Sequence, residues 1–423
     1  MFNQVDVESP LFFSRCIVIV MLVFLTACAT TKNIPKPLVP VATNEVEQVI
    51  LGPEDRVITV LDLQTVKGLE AIAPRLSTYR AVLVGENHIA YGDHLNQVAI
   101  IKSLHKRWKG MAIGLEFVQQ PFQKALDEYV ACRLSEFDML QQTQWYKRWK
   151  YDFRLYRPIF EFAREQKIPL IALNIPTELT KRISKVGLDG LTARQRQQLP
   201  KTIDKSNEAY AKHLKNVFNL HARVAHVHSS KKGKGNKQAN KRVNKHSTHS
   251  ANKSFDRFYE AQLAWDEGMA ATAAAYLLKH PTAKMVILAG GGHLINRHGI
   301  PARLERRIRS KVAVVLNDAG EQPAASNGDF LLLSPAAKLP KAGLLGILMR
   351  QENAGVVIST IIPNGAAKKA GLKEGDILLT IAENKVKEMG DVKLLLLDAK
   401  PAEEKTVSIL RDNKKLQKTL ILQ

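Results

Sequence analysis

Two segments place a histidine three residues after a glycine, Gly85-Glu86-Asn87-His88 and Gly290-Gly291-Gly292-His293. One carboxylate, Glu86, lies inside the first segment, and another, Glu116, ends the apolar run Met111-Ala-Ile-Gly-Leu115. Imidazoles and carboxylates in such company serve two chemistries. One is ligation of a divalent, zinc- or iron-like ion, with His88, His293, Glu86 and Glu116 as candidate metal ligands. The other is general acid/base work, with the same four as candidate catalytic residues. Glu116 is the strongest single signal, because a carboxylate beside a core needs a partner. Gln262 and Asp266 are four apart and share one helix face. From there they either reach the same cleft or, for Asp266, face water.

The elements that must hold these residues read as a parallel sheet. Short apolar runs recur at Ala81–Val84, Met111–Leu115, Pro169–Leu173, Met285–Ala289 and Val312–Leu316, with helical patterns between them. Continuous apolar strands alternating with helices predict an α/β domain, a mostly parallel sheet flanked by helices. Leu95, Val98, Ile101, Leu104 and Trp108 mark the first crossover helix, with Asp93 as its N-cap, and a second long helix is predicted over Phe258–Lys279. The runs end in Gly85–His88, Glu116–Phe117, Asn174–Pro176 and Gly290–His293. Ligands of open parallel sheets bind beyond the carboxyl ends of strands, so these clusters are expected to converge on one cleft.

The 423 residues carry a net charge of +22, which raises the question of nucleic acid. Eleven of the lysines and arginines fall between residues 209 and 255, a stretch without Asp or Glu. The core of that stretch, residues 229–246, lacks the interleaved aromatics of a strand-binding groove, so no nucleic-acid partner is expected. Residues 221–253 read as a solvated, basic, His/Lys-rich insertion. His226 and His228 with His246 and His249 could instead capture a metal or haem, and the charge of the insertion suits acidic headgroups. Three cysteines, Cys16, Cys28 and Cys132, exclude a disulfide framework.

The uncharged run Cys16–Leu25 has the length of a signal-peptide core and is too short to span a bilayer. Leu25-Thr-Ala-Cys28 resembles the cleavage box of a bacterial lipoprotein. The resemblance implies a signal peptide over 1–27, a lipid anchor at Cys28 and a tether over 28–54 rich in Pro, Thr and Val. Ala29 in place of an aspartate implies the outer membrane, so the expected location is the cell envelope.

Residues from about 80 to 310 resemble the ChaN-type haem-binding lipoproteins, of a superfamily that includes the Tiki proteases and erythromycin esterases. The likeness rests on Val84-Gly-Glu-Asn-His88, Gly114-Leu-Glu-Phe117, Tyr156-Arg-Pro158, Ile171-Ala-Leu-Asn-Ile-Pro176, Gln262–Ala270, Leu288–Leu294 and Gly299–Arg303. It implies a haem-binding α/β domain over 55–320, a role in haem and iron acquisition, and two haems held between two protomers of a homodimer. Haem needs an axial donor and an apolar slot. The cofactor-binding candidates are His88, Tyr91, His94 and His293. The alternative implied by the same superfamily is a metal-dependent hydrolase using Glu86, His88, Glu116 and His293.

After a linker over 321–340, residues 341–423 change to short strands with turns: Leu344–Leu348, Gly355–Ile361, Gly375–Ile381 and Val407–Leu410. This part resembles a small β-rich PDZ domain, through Gly343-Leu-Leu-Gly-Ile347, Pro363–Leu372 and Gly375-Asp-Ile-Leu-Leu-Thr-Ile381. The resemblance implies that the backbone amides of Leu345, Gly346 and Ile347 receive the C-terminal carboxylate of a peptide or protein partner. Val392 or Leu395, on a helix beginning near Asp391, would line the pocket for its last side chain.

Overall fold

Each of the five apolar runs is buried on both faces and forms a strand of one sheet: β1 (Ala81–Glu86), β2 (Met111–Gln119), β3 (Leu170–Asn174), β4 (Lys284–Gly290) and β5 (Ala313–Asn317). The computed structural model describes residues 63–230, 246–318 and 324–423, with side chains other than those of 221–230 and 246–253. The signal peptide, Cys28, the tether and the centre of the basic insertion lie outside the described residues. No helix among those described is long and apolar enough to cross a membrane.

A sixth strand, β6 (Phe330–Leu332), completes the order β3-β2-β4-β1-β5-β6, and every neighbouring pair is parallel. β6 falls inside the stretch expected to be linker. Three residues with Leu331 exposed leave no apolar run to read.

Side-chain alternation splits the core in two. Val82, Val84, Ile113, Leu115, Val286 and Leu288 pack on one face, with the helices Tyr91–His105 and Arg157–Glu165. Ala81, Leu83, Ala112, Met285, Ile287 and Ala289 pack on the other, against the helices His246–Lys279 and Ile300–Ile308. Small residues on the long helix, Ala270, Ala273 and Ala274, are fully covered there. The helix stops at Lys279, just before Pro281, which cannot continue it.

Three local expectations are corrected. The first crossover helix starts at Tyr91, so Asp93 sits in its first turn instead of capping it, and its carboxylate accepts the Asn87 N–H. The long helix begins at His246 and its predecessor runs Glu208–Ser230, so both ends of the basic insertion are helical. Strand character in the C-terminal region starts at Ile347, because Gly346 has φ +73, a left-handed conformation that a glycine tolerates.

The C-terminal sheet comprises β7 (Ile347–Glu352), β8 (Gly355–Ile361), β9 (Ile377–Ile381), β10 (Asn384–Lys385), β11 (Glu404–Arg411) and β12 (Lys414–Ile421). It is antiparallel in the order β12-β11-β9-β8-β7, with β10 beside β9, so β7 is an edge. Asp412 and Asn413, both left-handed, form the two-residue turn between β11 and β12. The helix Met389–Leu395 and the residues after it lie on the α/β domain. Leu394 and Leu397 join its core, and Arg157 bonds both Glu136 and Asp398. The described residues thus form one compact unit.

Candidate functional site

β1 and β4 are neighbours, and their last residues, Glu86 and Gly290, are paired in register. The strand ends therefore bring the two glycine-histidine segments side by side. Glu86 is buried, and its Oε1 lies 2.6 Å from His88 Nδ1. Its other oxygen, Oε2, is also buried and has no hydrogen-bond partner, with His94 Nε2 at 3.9 Å. The His88 ring lies against Trp149 and Tyr151, with centroids 4.7 and 4.9 Å away, and keeps 29% of its side-chain surface exposed.

β2 positions Glu116 by a bulge. Leu115 pairs with Ala172 and Gln119 with Asn174, so β2 spends two extra residues over this interval. Bulges re-aim side chains, and this one falls on Glu116. The Asn174 amide holds the bulge by donating to the Glu116 carbonyl, at 2.8 Å. Glu116 Oε2 accepts the Gly290 N–H at 2.6 Å, and Oε1 lies 3.3 Å from His293 Nε2. His293 Nδ1 is 2.6 Å from Asp266 Oδ1, and Asp266 Oδ2 accepts the Tyr210 hydroxyl at 2.6 Å. Gln262 reaches the same ring, its amide nitrogen 3.3 Å from Nδ1. The two arrangements meet at Gly290. A side-chain carbon there would lie 2.9 Å from His88 Cε1 and 3.6 Å from Glu116 Oε2, so only glycine permits the approach.

Electrostatics separate the two carboxylates. Burial pushes the Glu86 carboxyl up, and its bond to His88 only partly opposes this. Burial also works to raise Glu116, but the charge and hydrogen bond of His293 hold it below the usual carboxylate range. Burial pulls His293 down, yet Glu116 and Asp266 together hold it well above an ordinary histidine, so it is an imidazolium between two carboxylates. For His88 burial is again the largest influence and the Glu86 contact outweighs it, leaving the ring above its ordinary value. His94, pushed down to about 4 by burial, stays neutral.

Glu86, His88, Glu116 and His293 therefore lie together, and Asp266 is fully buried beside them. The four are organised as ion-paired partners rather than as an open ligand sphere. Among the described residues no group of three or more His, Cys, Asp and Glu is arranged to hold a metal ion. The expectation of a divalent ion on these four finds no support, because both His293 nitrogens and His88 Nδ1 already face carboxylates. Of the axial-donor candidates, His94 is 1% exposed, 4.2 Å from the Tyr156 ring and bonded to Gln97. His293 is engaged at both nitrogens. Tyr91 is half-buried, and His88 Nε2 bonds no described residue. Sequence reasoning passed over Trp149 and Tyr151, although the run Trp145-Tyr-Lys-Arg-Trp-Lys-Tyr151 was a visible signal. Tyr210, in a helix with no motif, offered none.

In the C-terminal domain the loop before β7 has free donors. The carbonyls of Leu345 and Gly346 accept the N–H groups of Ala367 and Ile362, while their own N–H groups donate to no described residue. Leu345, Gly346 and Ile347 line a cavity of about 500 Å³ together with Val392, so the domain's packing on its neighbour leaves this groove open. Val392 belongs at the same time to the domain's core cluster, and Leu395 packs against that cluster without lining the cavity.

Comparison with known proteins now places these features. The family model described as "Haem-binding uptake, Tiki superfamily, ChaN" matches residues 72–304, and that of the PDZ domain matches 343–422. A curated DegP-like periplasmic serine endoprotease of Rickettsia conorii is 36% identical over 63 residues, 15% of this chain and 12% of that protein. The chain thus spans about an eighth of the length of that relative. Among solved structures, ChaN of Campylobacter jejuni, described with cofacial haem binding, is 19% identical with a TM-score of 0.47, covering 63% of this chain and 91% of its own. An erythromycin esterase in its open conformation is 16% identical with a TM-score of 0.34, covering 59% of this chain and 72% of its own. The match over 72–304 takes in more than half of the 423 residues, and the chain belongs to the ChaN-type haem-binding uptake family of the Tiki superfamily, with a PDZ domain at residues 343–422.

Proposed function

We propose that the α/β domain binds haem at the lip formed by His88 and Tyr91, and that the chain serves haem and iron acquisition at the cell envelope. A lipid on Cys28 holds it to the outer membrane in this reading, and the PDZ domain recruits a partner through a peptide C-terminus. The family supports haem as the ligand. The observation that carries the site is the sorting of donors: His94 is buried and His293 is spent on carboxylates, which leaves His88 and Tyr91 accessible. The residues fit the group, since an imidazole with an uncommitted Nε2 stands beside Trp149, Tyr151 and Ile89, which is 71% exposed. Haem bound there supplies an iron to be ligated by imidazole or phenolate. Glu86, through Nδ1, orients the His88 ring and increases its basicity. A second copy of the chain would share this open lip in the homodimer that the family likeness implies.

The test is titration of the full chain, without its lipid, with haemin. A saturable Soret band is expected for the unaltered chain, with weakened binding in His88→Ala or Tyr91→Phe. Wild-type titration curves from both variants would remove the lip as the site.

A second reading, hydrolysis by acid/base chemistry, is favoured by one observation: burial displaces Glu86 upward while His293 holds Glu116 downward, the direction of split that separates an acid from an ionised partner. It expects ester turnover that falls on Glu86→Gln and His88→Ala. Turnover unchanged in both would dispose of it.

A further inference from the structure

The peptide groove is not made by the PDZ domain alone. One wall is the edge strand β7 with the carboxylate loop, a second is the helix Met389–Leu395, and the third comes from the α/β domain through Tyr146, Lys150, Asp152 and Arg154. An extended peptide lying against β7 has its backbone paired there, its terminal carboxylate on the Leu345 and Gly346 N–H groups, and its last side chain toward Val392. Leu344 and Leu348, 60% and 55% exposed, show that apolar surface is left for it to cover.

Charge around this groove is unbalanced. Each carboxylate near it is already engaged: Asp152 with Arg154, Glu388 with Lys147, and Asp398 with Arg157. Asp391 accepts the N–H groups of Lys387 and Glu388 at the start of the helix. Two exposed lysines remain, Lys150 on the α/β side and Lys393 on the helix. Neither has a carboxylate partner among the described residues; Lys393 Nζ donates to the Lys150 backbone carbonyl at 3.3 Å and stands 5.7 Å from the Tyr146 ring centroid, and both lysines line the groove.

We propose that this composite groove selects a peptide that ends in an apolar residue with a free carboxylate and carries acidic side chains upstream, met by Lys150 of the α/β domain and Lys393 of the PDZ helix. The inference rests on the reading of the C-terminal domain as a peptide binder and adds what that domain by itself does not possess, a recognition element supplied by its neighbour. The lysine pair acts at the rim, so it sets preference among peptides more than total affinity.

The experiment is fluorescence anisotropy on the full chain with labelled ten-residue peptides. All end in valine and differ only in carrying glutamate, serine or lysine at three upstream positions, and an amidated copy of the glutamate peptide reports on the terminal carboxylate. The glutamate peptide is expected to bind about tenfold tighter than the lysine peptide in low salt, two rim pairs of ordinary strength, with the ratio shrinking as salt rises. Lys150→Glu and Lys393→Glu should each reduce the ratio, and the double variant should invert it. Carboxylate-dependent binding indifferent to upstream charge overturns the composite groove and leaves the peptide-binding reading standing. Sensitivity to Lys393→Glu but not Lys150→Glu removes the α/β wall from it. Failure of every peptide, amidated or not, overturns both.

Discussion

Beyond the ends of β1, β2 and β4, Glu116 and Asp266 are taken out of water and matched to His293, and Glu86 to His88, while in the groove beside β7 Leu344 and Leu348 stay in water and the lysines keep to the rim. A buried ion must find its partners inside the protein, so Glu116, Asp266 and His293 are matched before any ligand arrives and are held in one geometry, with Glu86 Oε2 and His88 Nε2 left over. A groove with an unpaired strand edge and exposed leucines is incomplete by itself, and a ligand that adds a strand finishes it. The first arrangement suits orientation of a single donor, His88. The second suits exchange of partners.

That contrast is most easily broken through Glu116. Glu116→Ala leaves the His293 imidazolium beside a single carboxylate and the Gly290 N–H unpaired, and should cost about 3–5 kcal/mol in urea unfolding. Glu116→Gln, which can still accept from Gly290, should cost less. Equal small losses for both would mean that the cleft is not held by its charges.

His94 gives the next effect, through pH. Its pKa is pushed down to about 4 in the fold against an ordinary 6.5, so between these values the unfolded chain takes up a proton that the folded chain does not. Stability contributed by neutral His94 is therefore full above 6.5 and falls as pH drops toward 4, by about 3 kcal/mol in all. Glu86, displaced upward, acts in the opposite sense above 4.5, so the comparison is between the chain and His94→Gln over that window. Unfolding curves whose difference does not change between pH 7 and 4.5 would contradict it.

Asp266→Asn removes one of two carboxylates from His293. It should lower the His293 pKa, visible by NMR titration, and cost about 1.5 kcal/mol. At the small end, Leu348→Ser in the groove should change unfolding stability by no more than about 0.5 kcal/mol while weakening peptide binding. A large loss of stability there would show that the groove, like the cleft, is a load on the fold.

The legible part of this architecture has a common cause. A parallel strand buried on both faces must be apolar throughout, which made β1 to β5 readable as runs, and turns at their ends made the glycine-histidine segments readable as site elements. β6 was unreadable because an edge strand of three residues, the middle one exposed, needs no such run. The helical ends of the basic insertion were hidden by composition, since charge and polarity outweighed local helix propensity. Asp266 could be placed on the right helix face, but whether it met water or His293 depended on how that helix packs.

Residue order alone determined the two domain types, the five central strands and which glycines and histidines end them, because these follow from local burial periodicity and turn chemistry. Only the tertiary structure decided that Glu86 serves His88 while Glu116 and Asp266 share His293, that His94 is sealed away, and that Lys150 stands beside the peptide groove. Those outcomes turn on a two-residue bulge in β2, the absence of a side chain at Gly290 and the packing of Leu394 and Leu397 on the first domain. Each is a contact between segments far apart in sequence, fixed by close packing rather than by any local preference.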